Sequence, residues 1–165
     1  MGEVRLGQKK YSITYLETGT VYVPQNSIAD VDGFEVVFIN FMDGMFEWES
    51  KYFQRKVDDF QNDSEPGLKG IMREDLLLLF NEYVSKGGRN YDRVENLVCS
   101  SPPEYDRKHD QIETIHVGSH KVLVIVRQLK GLESAYRLTF LRKGGKFMLS
   151  KRELKYDERW CGTYI

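Results

Sequence analysis

Three histidines lie close together in the sequence and are its first candidates for chemistry: His109, His116 and His120. A histidine beside a carboxylate can act as a general base near neutral pH, because its ordinary pKa is about 6.5. The possible partners are Asp110, Glu113 and Glu47. Closeness along the chain does not establish a catalytic pair. We therefore favour an interpretation in which His109 and His120 lie in turns and His116 is a half-exposed strand residue.

Other arrangements typical of an active site are missing from the sequence. Its two cysteines, Cys99 and Cys161, are too few and too widely spaced for a zinc site or a disulfide framework. The glycines near Gly67 and Gly87 do not match a phosphate-binding loop. We therefore predict no catalytic residues, no cofactor and no metal, and we expect that the protein is not an enzyme.

Charge is distributed unevenly along the chain. Residues 41–66 contain seven acids and three bases, whereas residues 137–155 contain seven bases and one acid. Such runs can be solvated faces that partly neutralise each other. Alternatively, they form a polarised surface that steers a charged protein partner. On the second interpretation, the candidate partner-binding residues are Asp43, Glu47, Glu49, Asp58 and Asp59.

A long helix is predicted from Asp32 to Asn62, because apolar residues recur there at steps of three and four. This apolar stripe consists of Phe34, Phe38, Phe41, Met45, Trp48, Tyr52, Val57 and Phe60. Asp32 and Glu35 have the spacing of a capping box. We expect the stripe, including Trp48, to form the core. Asp43 and Glu47 share the opposite face with Lys51.

The rest of the chain divides into a β segment before this helix and a β-rich part after it. Residues 1–31 contain two short strands joined at Glu17–Gly19, and residues 32–109 form the helical part. A second helix starts near Ile71 and is expected to end at a Gly87-Gly88 cap. Residues 110–165 read as an antiparallel meander of four strands. Within it, the strand at residues 120–130 is apolar on both faces and is therefore expected to be central.

The last predicted hairpin turns at Gly144-Gly145, since two-residue turns need positive φ at both positions. Counting outward from this turn gives the expected pairs: Arg142 with Phe147, Phe140 with Leu149, Leu138 with Lys151, Tyr136 with Glu153, Leu141 with Met148, Thr139 with Ser150, and Arg137 with Arg152.

Length and composition indicate an ordinary globular chain. The 165 residues are expected to form one domain, and a net charge of −1 gives no bulk attraction to nucleic acid or to an anionic membrane. No apolar run is long enough to span a bilayer. The N-terminal residues lack the pattern of a secretion signal, so we expect a cytoplasmic protein.

The predicted order is helices first and then an antiparallel meander, which is an α+β fold with a curved sheet against the long helix. This order resembles the cone-shaped nuclear transport factor two-like (cystatin-like) superfamily. Within it, the chain resembles the immunity proteins of bacterial polymorphic (Rhs-type) toxin systems. Four segments carry the resemblance: Phe41–Glu49, Pro102–Asp106, Tyr136–Leu149 with its Lys-Gly-Gly-Lys turn, and Arg159–Tyr164. The first 31 residues have no counterpart in that family.

The resemblance implies a non-enzymatic inhibitor whose partner is a cognate toxin domain. Two alternatives remain open. One is a small enzyme or ligand-binding protein of the same fold, of the isomerase or dehydratase type, with a pocket between the sheet and the long helix. The other is a dimer module that associates through the sheet face. An enzyme would need a histidine–carboxylate pair beside an open cavity, whereas an inhibitor is expected to have a filled interior.

Overall fold

A computed structural model describes residues 33–62, 65–131 and 133–165 in full, and residues 1–32 only as the backbone of three strands. These strands are β1 (Glu3–Leu6), β2 (Lys9–Leu16) and β3 (Gly19–Pro24), which form an antiparallel sheet in that order. The hairpin predicted near the N-terminus is confirmed as β2 and β3, with Leu16 paired to Gly19. Asp32, the expected helix cap, lies outside the described residues.

The three helices are α1 (Phe34–Asn62), α2 (Leu68–Tyr83) and α3 (Asp92–Asn96). The prediction of α1 is confirmed over 29 residues. The expected cap of α2 at Gly87-Gly88 is wrong, because the helix ends at Tyr83 and Val84 is already extended. The reason is tertiary: the Ser85 N–H donates to the carbonyl of Leu149 at 2.8 Å, which draws the chain onto a sheet edge.

The second sheet is antiparallel and contains five strands in chain order. They are β4 (Gln111–Val117), β5 (Lys121–Arg127), β6 (Ala135–Lys143), β7 (Lys146–Tyr156) and β8 (Arg159–Thr163). Four of them were expected from the sequence, and β8 was missed because its residues, Arg-Trp-Cys-Gly-Thr, show no apolar alternation. The prediction that β5 is an interior strand is confirmed.

A β-bulge between β6 and β7 corrects the register expected near their far ends. The pairs close to the turn are as predicted, including Phe140 with Leu149. From Thr139 onward the register shifts by one residue, so that Thr139 pairs with Lys151 instead of Ser150. Leu138 then pairs with Arg152, and Arg137 with Glu153. Ser150 is the extra residue, and its hydroxyl donates to the Thr139 carbonyl at 3.0 Å. The shift replaces an expected arginine–arginine pair by an ion pair.

The core lies between α1, α2 and the inner face of the five-stranded sheet. Val122, Val124 and Val126 of β5 are buried there, together with the apolar stripe of α1 as far as Tyr52. Trp48 is 5 % exposed, and its indole N–H donates to the Met72 carbonyl at 3.0 Å. This α+β packing confirms the predicted fold class.

The stripe does not continue to the end of α1, and this corrects the expected core. Val57 is only partly buried and Phe60 is 92 % exposed. The buried residues of α1 end at Tyr52, so the last turns of the helix extend past the core. Periodicity alone does not reveal this, because it shows the face of a residue and not whether anything packs against that face.

None of the helices in the described part of the chain is long and apolar enough to cross a membrane.

Trp48 and Phe60 provide a matched test of this packing. Trp48→Ala should lower the free energy of unfolding by about 3–5 kcal/mol, because it removes a buried aromatic side chain and leaves a cavity. Phe60→Ala should change it by less than about 0.5 kcal/mol, since the ring is in solvent. Urea denaturation of both variants measures the difference. Equal losses would contradict the placement of the two rings.

Candidate functional site

The outward side of α1 carries the acids predicted to bind a partner, and the structure gives them different surroundings. Asp43 is only partly exposed, and its two carboxylate oxygens accept hydrogen bonds from Arg107 at 2.7 and 2.8 Å. This bidentate pair compensates the negative charge. Asp43 is therefore a weaker source of attraction for a partner than its sequence position suggested.

Glu49 is fully buried, and this corrects its assignment to a partner-binding surface. One of its oxygens accepts from Arg93 Nη1 at 2.9 Å and the other from the backbone N–H of Glu104 at 2.7 Å. The helical period places Glu49 next to the apolar stripe, beside Trp48. An acidic residue is expected at the surface. Glu49 can nevertheless be buried, because both of its carboxyl oxygens have hydrogen-bond donors.

The two acids near the end of α1 also differ from each other. Asp58 is exposed and accepts a hydrogen bond from the side chain of Gln54 at 2.8 Å. Asp59 accepts from the backbone N–H of Glu65 at 2.7 Å, and Glu65 in turn forms an ion pair with Arg55. Asp59 thus holds the chain that leaves the helix. Asp63, which added to the acidic count of this region, lies outside the described residues.

Glu47 is exposed on the same side of α1, and its expected neighbour Lys51 is directed elsewhere. Lys51 donates to Asp75 of α2 at 2.8 Å, and Asp75 also accepts from Tyr52 at 2.5 Å. The exposed acids among the five predicted residues are therefore Glu47 and Asp58, which are 11 residues apart in the sequence. At 1.5 Å per residue they lie about 16 Å apart along the helix.

A buried charge network centred on Arg93 lies behind this helix and was not expected from the sequence. The Arg93 guanidinium is completely buried and donates to Glu49, to Glu104 and, at 2.9 Å from Nε, to the carbonyl of Ile165. Arg152 donates to Glu104 at 3.2 Å and lies against the ring of Tyr136. The network therefore joins α1, α3, the loop before β4, β7 and residue 165.

The two carboxyl groups of the network have pKa values shifted in opposite directions. Burial raises the pKa of Glu49 from 4.5 to about 7, against the opposing effect of Arg93. Burial also acts to raise the pKa of Glu104, but Arg152 and Arg93 together hold it below its ordinary value. The stabilising contribution of Glu49 is therefore complete below about pH 4.5 and is lost as the pH rises through 7. That of Glu104 has the opposite sign and is lost as the pH falls.

The side chains of two of the three histidines make contacts that the structure describes. His116 packs edge-on against the ring of Phe34, with centroids 5.8 Å apart. His109 does meet a carboxylate, with Nδ1 at 2.8 and 2.9 Å from the oxygens of Asp106, but its side chain is 53 % exposed. The described histidine–carboxylate pair therefore lies at His109, on the surface. Between the long helix and the sheet, the side chains of Phe41, Met45 and Leu138 are fully buried in the hydrophobic core.

The fold defines the class of the protein, which is an α+β chain whose sheet and long helix enclose a packed interior. The model of the NTF2 fold immunity protein family matches residues 34–163, and the chain belongs to that family. No curated protein matches the chain, and no solved structure matches it. The match covers α1 to β8 and leaves the N-terminal strands outside it.

Arg93 provides the test of the network. Arg93→Met should lower the free energy of unfolding by about 3–5 kcal/mol, because the buried Glu49 carboxyl group loses its arginine partner and Glu104 loses one of its two. The control is Arg107→Met, which breaks the partly exposed pair with Asp43 and should cost about 1 kcal/mol or less. Urea denaturation at pH 7 compares the two. A similar cost for both would mean that the buried network contributes no more than a surface pair.

Proposed function

We propose that this protein is a non-enzymatic immunity protein of the bacterial cytoplasm that binds and neutralises a cognate toxin domain. The observation that carries the proposal is the family match over residues 34–163. The toxin would be of the polymorphic, Rhs type that the sequence resemblance suggests. The packed space between helix and sheet supports inhibition by surface contact rather than by chemistry.

The surface proposed to face the toxin is the outward side of α1, with Glu47 and Asp58 as its exposed acids. Asp43 and Asp59 border this surface, although each has an internal partner. An acidic surface attracts a basic toxin. A toxin that acts on nucleic acid would fit this surface, because enzymes of that kind are commonly basic. Charges of this kind mainly raise the association rate and select the partner.

A partner that also contacts the projecting end of α1 meets an apolar group there. Phe60 is 92 % exposed and, two residues from Asp58, projects from a different face of the helix. Aromatic side chains are enriched at the centres of protein interfaces, because they bury a large area at a small cost in conformational entropy. Phe60 is therefore proposed as the apolar contact that persists after the charges have brought the partners together.

The outer face of the sheet supports homodimer formation as a second candidate. Leu123, Ile125 and Leu141 are partly exposed on this face, next to one another across β5 and β6. A two-fold dimer would bury the same patch on both copies. Analytical ultracentrifugation of the parent should then show a dimer, and Ile125→Glu should give a monomer. A parent that sediments as a monomer at all concentrations would remove this candidate.

The toxin test uses the toxin domain encoded beside the gene of this protein. Glu47→Lys combined with Asp58→Lys should lower the association rate about tenfold at low salt, because it reverses the charge of the α1 surface. The difference should shrink at 1 M salt, where charges are screened within about 3 Å. Phe60→Ala should instead raise the dissociation rate at both salt concentrations. Surface plasmon resonance measures both rates.

The matched control is Glu158→Lys, because its side chain is 95 % exposed and lies in the turn between β7 and β8. It should leave both rates near those of the parent. Absence of binding to the neighbouring toxin domain would refute the immunity function for this pair. Tight binding that is unchanged by salt and by all three α1 substitutions would support the immunity function and place the interface on another surface.

A further inference from the structure

A recess of about 550 Å³ lies where the chain leaves α2 and runs along the edge of β7. Val84 and Met148 supply apolar lining, and Lys86 and Lys143 supply two ammonium groups. The recess is wide and open to solvent, and its volume is in the range of pockets that hold small organic ligands. The recess is separate from the outward side of α1 and from the space between helix and sheet.

Ser85, which also lines the recess, has an unusual hydroxyl group. The residue is 8 % exposed, and its Oγ has no hydrogen-bond partner among the described residues. The backbone on both sides of the hydroxyl is fixed, since the Ser85 N–H donates to Leu149 and its carbonyl accepts from Asn90 Nδ2 at 2.8 Å. The Ser85 hydroxyl can therefore reach a hydrogen-bond partner only by rotation about χ1. A buried hydroxyl without a partner lowers stability, so its presence needs an explanation.

The charges around the recess favour an anion. Both Lys86 and Lys143 are exposed, and no carboxylate lies within ion-pair distance of either in the described part of the chain. The nearest acid along α2 is Glu82, and Lys146 pairs with it at 2.5 Å. Lys146 also donates to the Glu82 carbonyl at 2.9 Å, which offsets the negative end of the helix dipole.

We propose that this recess binds a small ligand with an oxyanion group and an apolar body. The oxyanion, a carboxylate or a phosphate, lies between the ammonium groups of Lys86 and Lys143. It accepts a hydrogen bond from the Ser85 hydroxyl, which turns toward it. The apolar body packs against Val84 and Met148. This site does not depend on toxin binding, and it gives the protein a small-molecule ligand in addition to a protein partner.

The test is an NMR titration of the whole chain at constant ionic strength. The probes are benzoate, phenyl phosphate, inorganic phosphate and neutral benzyl alcohol. Benzoate or phenyl phosphate should shift the amides of Ser85, Lys86 and Met148 in a saturable manner, and the tighter of the two identifies the oxyanion. Benzyl alcohol, with the same ring and no charge, should bind much more weakly. Tighter binding of inorganic phosphate than of phenyl phosphate would overturn the part of the proposal that concerns the apolar body.

Matched variants separate a built site from general attraction to positive charge. Lys86→Gln and Lys143→Gln should each weaken binding about fivefold. Lys69→Gln removes the same charge near the start of α2 and should have no effect. If all three variants weaken binding equally, or if no probe shifts the three amides in a saturable manner, the proposal is wrong.

Ser85→Ala gives a second, independent readout. It should weaken anion binding about fivefold, because one hydrogen bond is lost. It should leave the melting temperature equal to that of the parent or raise it, because the removed hydroxyl has no partner in the unliganded protein. A lower melting temperature would show that the hydroxyl is structural, and unchanged affinity would show that it does not touch the ligand. Either result would refute its proposed role.

Discussion

The rest of the structure depends on a buried arginine that holds separate parts of the chain at one point. Arg93 lies on a five-residue helix, too short to be stable alone, and donates to α1, to the loop before β4 and to residue 165. Taking a guanidinium and a carboxyl group out of water is costly unless each is well paired. Because the partners come from distant positions, the network forms only when these segments are in place. It therefore specifies how the sheet closes against the long helix.

A second constraint lies along β7, where a β-bulge and an edge pairing shape the surroundings of the candidate sites. The bulge at Ser150 places Arg152 on the inner face, where it reaches Glu104, and leaves Glu153 on the outer face with Arg137. On the other side of the bulge, the chain after α2 pairs with Leu149. This pairing ends the helix early and buries the Ser85 hydroxyl. The same strand thus supports the charge network and borders the anion recess.

The acidic residues of α1 fall into two groups: some have structural partners inside the protein, and others are exposed and available to a partner. Glu49 serves the core, Asp59 holds the following loop, and Asp43 is paired with Arg107. Glu47 and Asp58 remain in solvent, together with the projecting ring of Phe60. The family match agrees with a protein that recognises another protein. Exposed charges on one face of α1 and an aromatic residue at its projecting end are consistent with that role, because a few contacts usually dominate an interface.

The sequence by itself determined the secondary structure whose signals are local. The 3.6-residue period predicted α1, and the Gly144-Gly145 turn predicted the β6–β7 hairpin and the pairs next to it. It also indicated the family, through four segments between Phe41 and Tyr164, and the family match over residues 34–163 confirms this. Only the tertiary structure decided where α1 leaves the core, which acid is buried and where the register slips. These outcomes depend on contacts between residues far apart in the chain, such as Glu49 with Arg93, and no local pattern records such contacts.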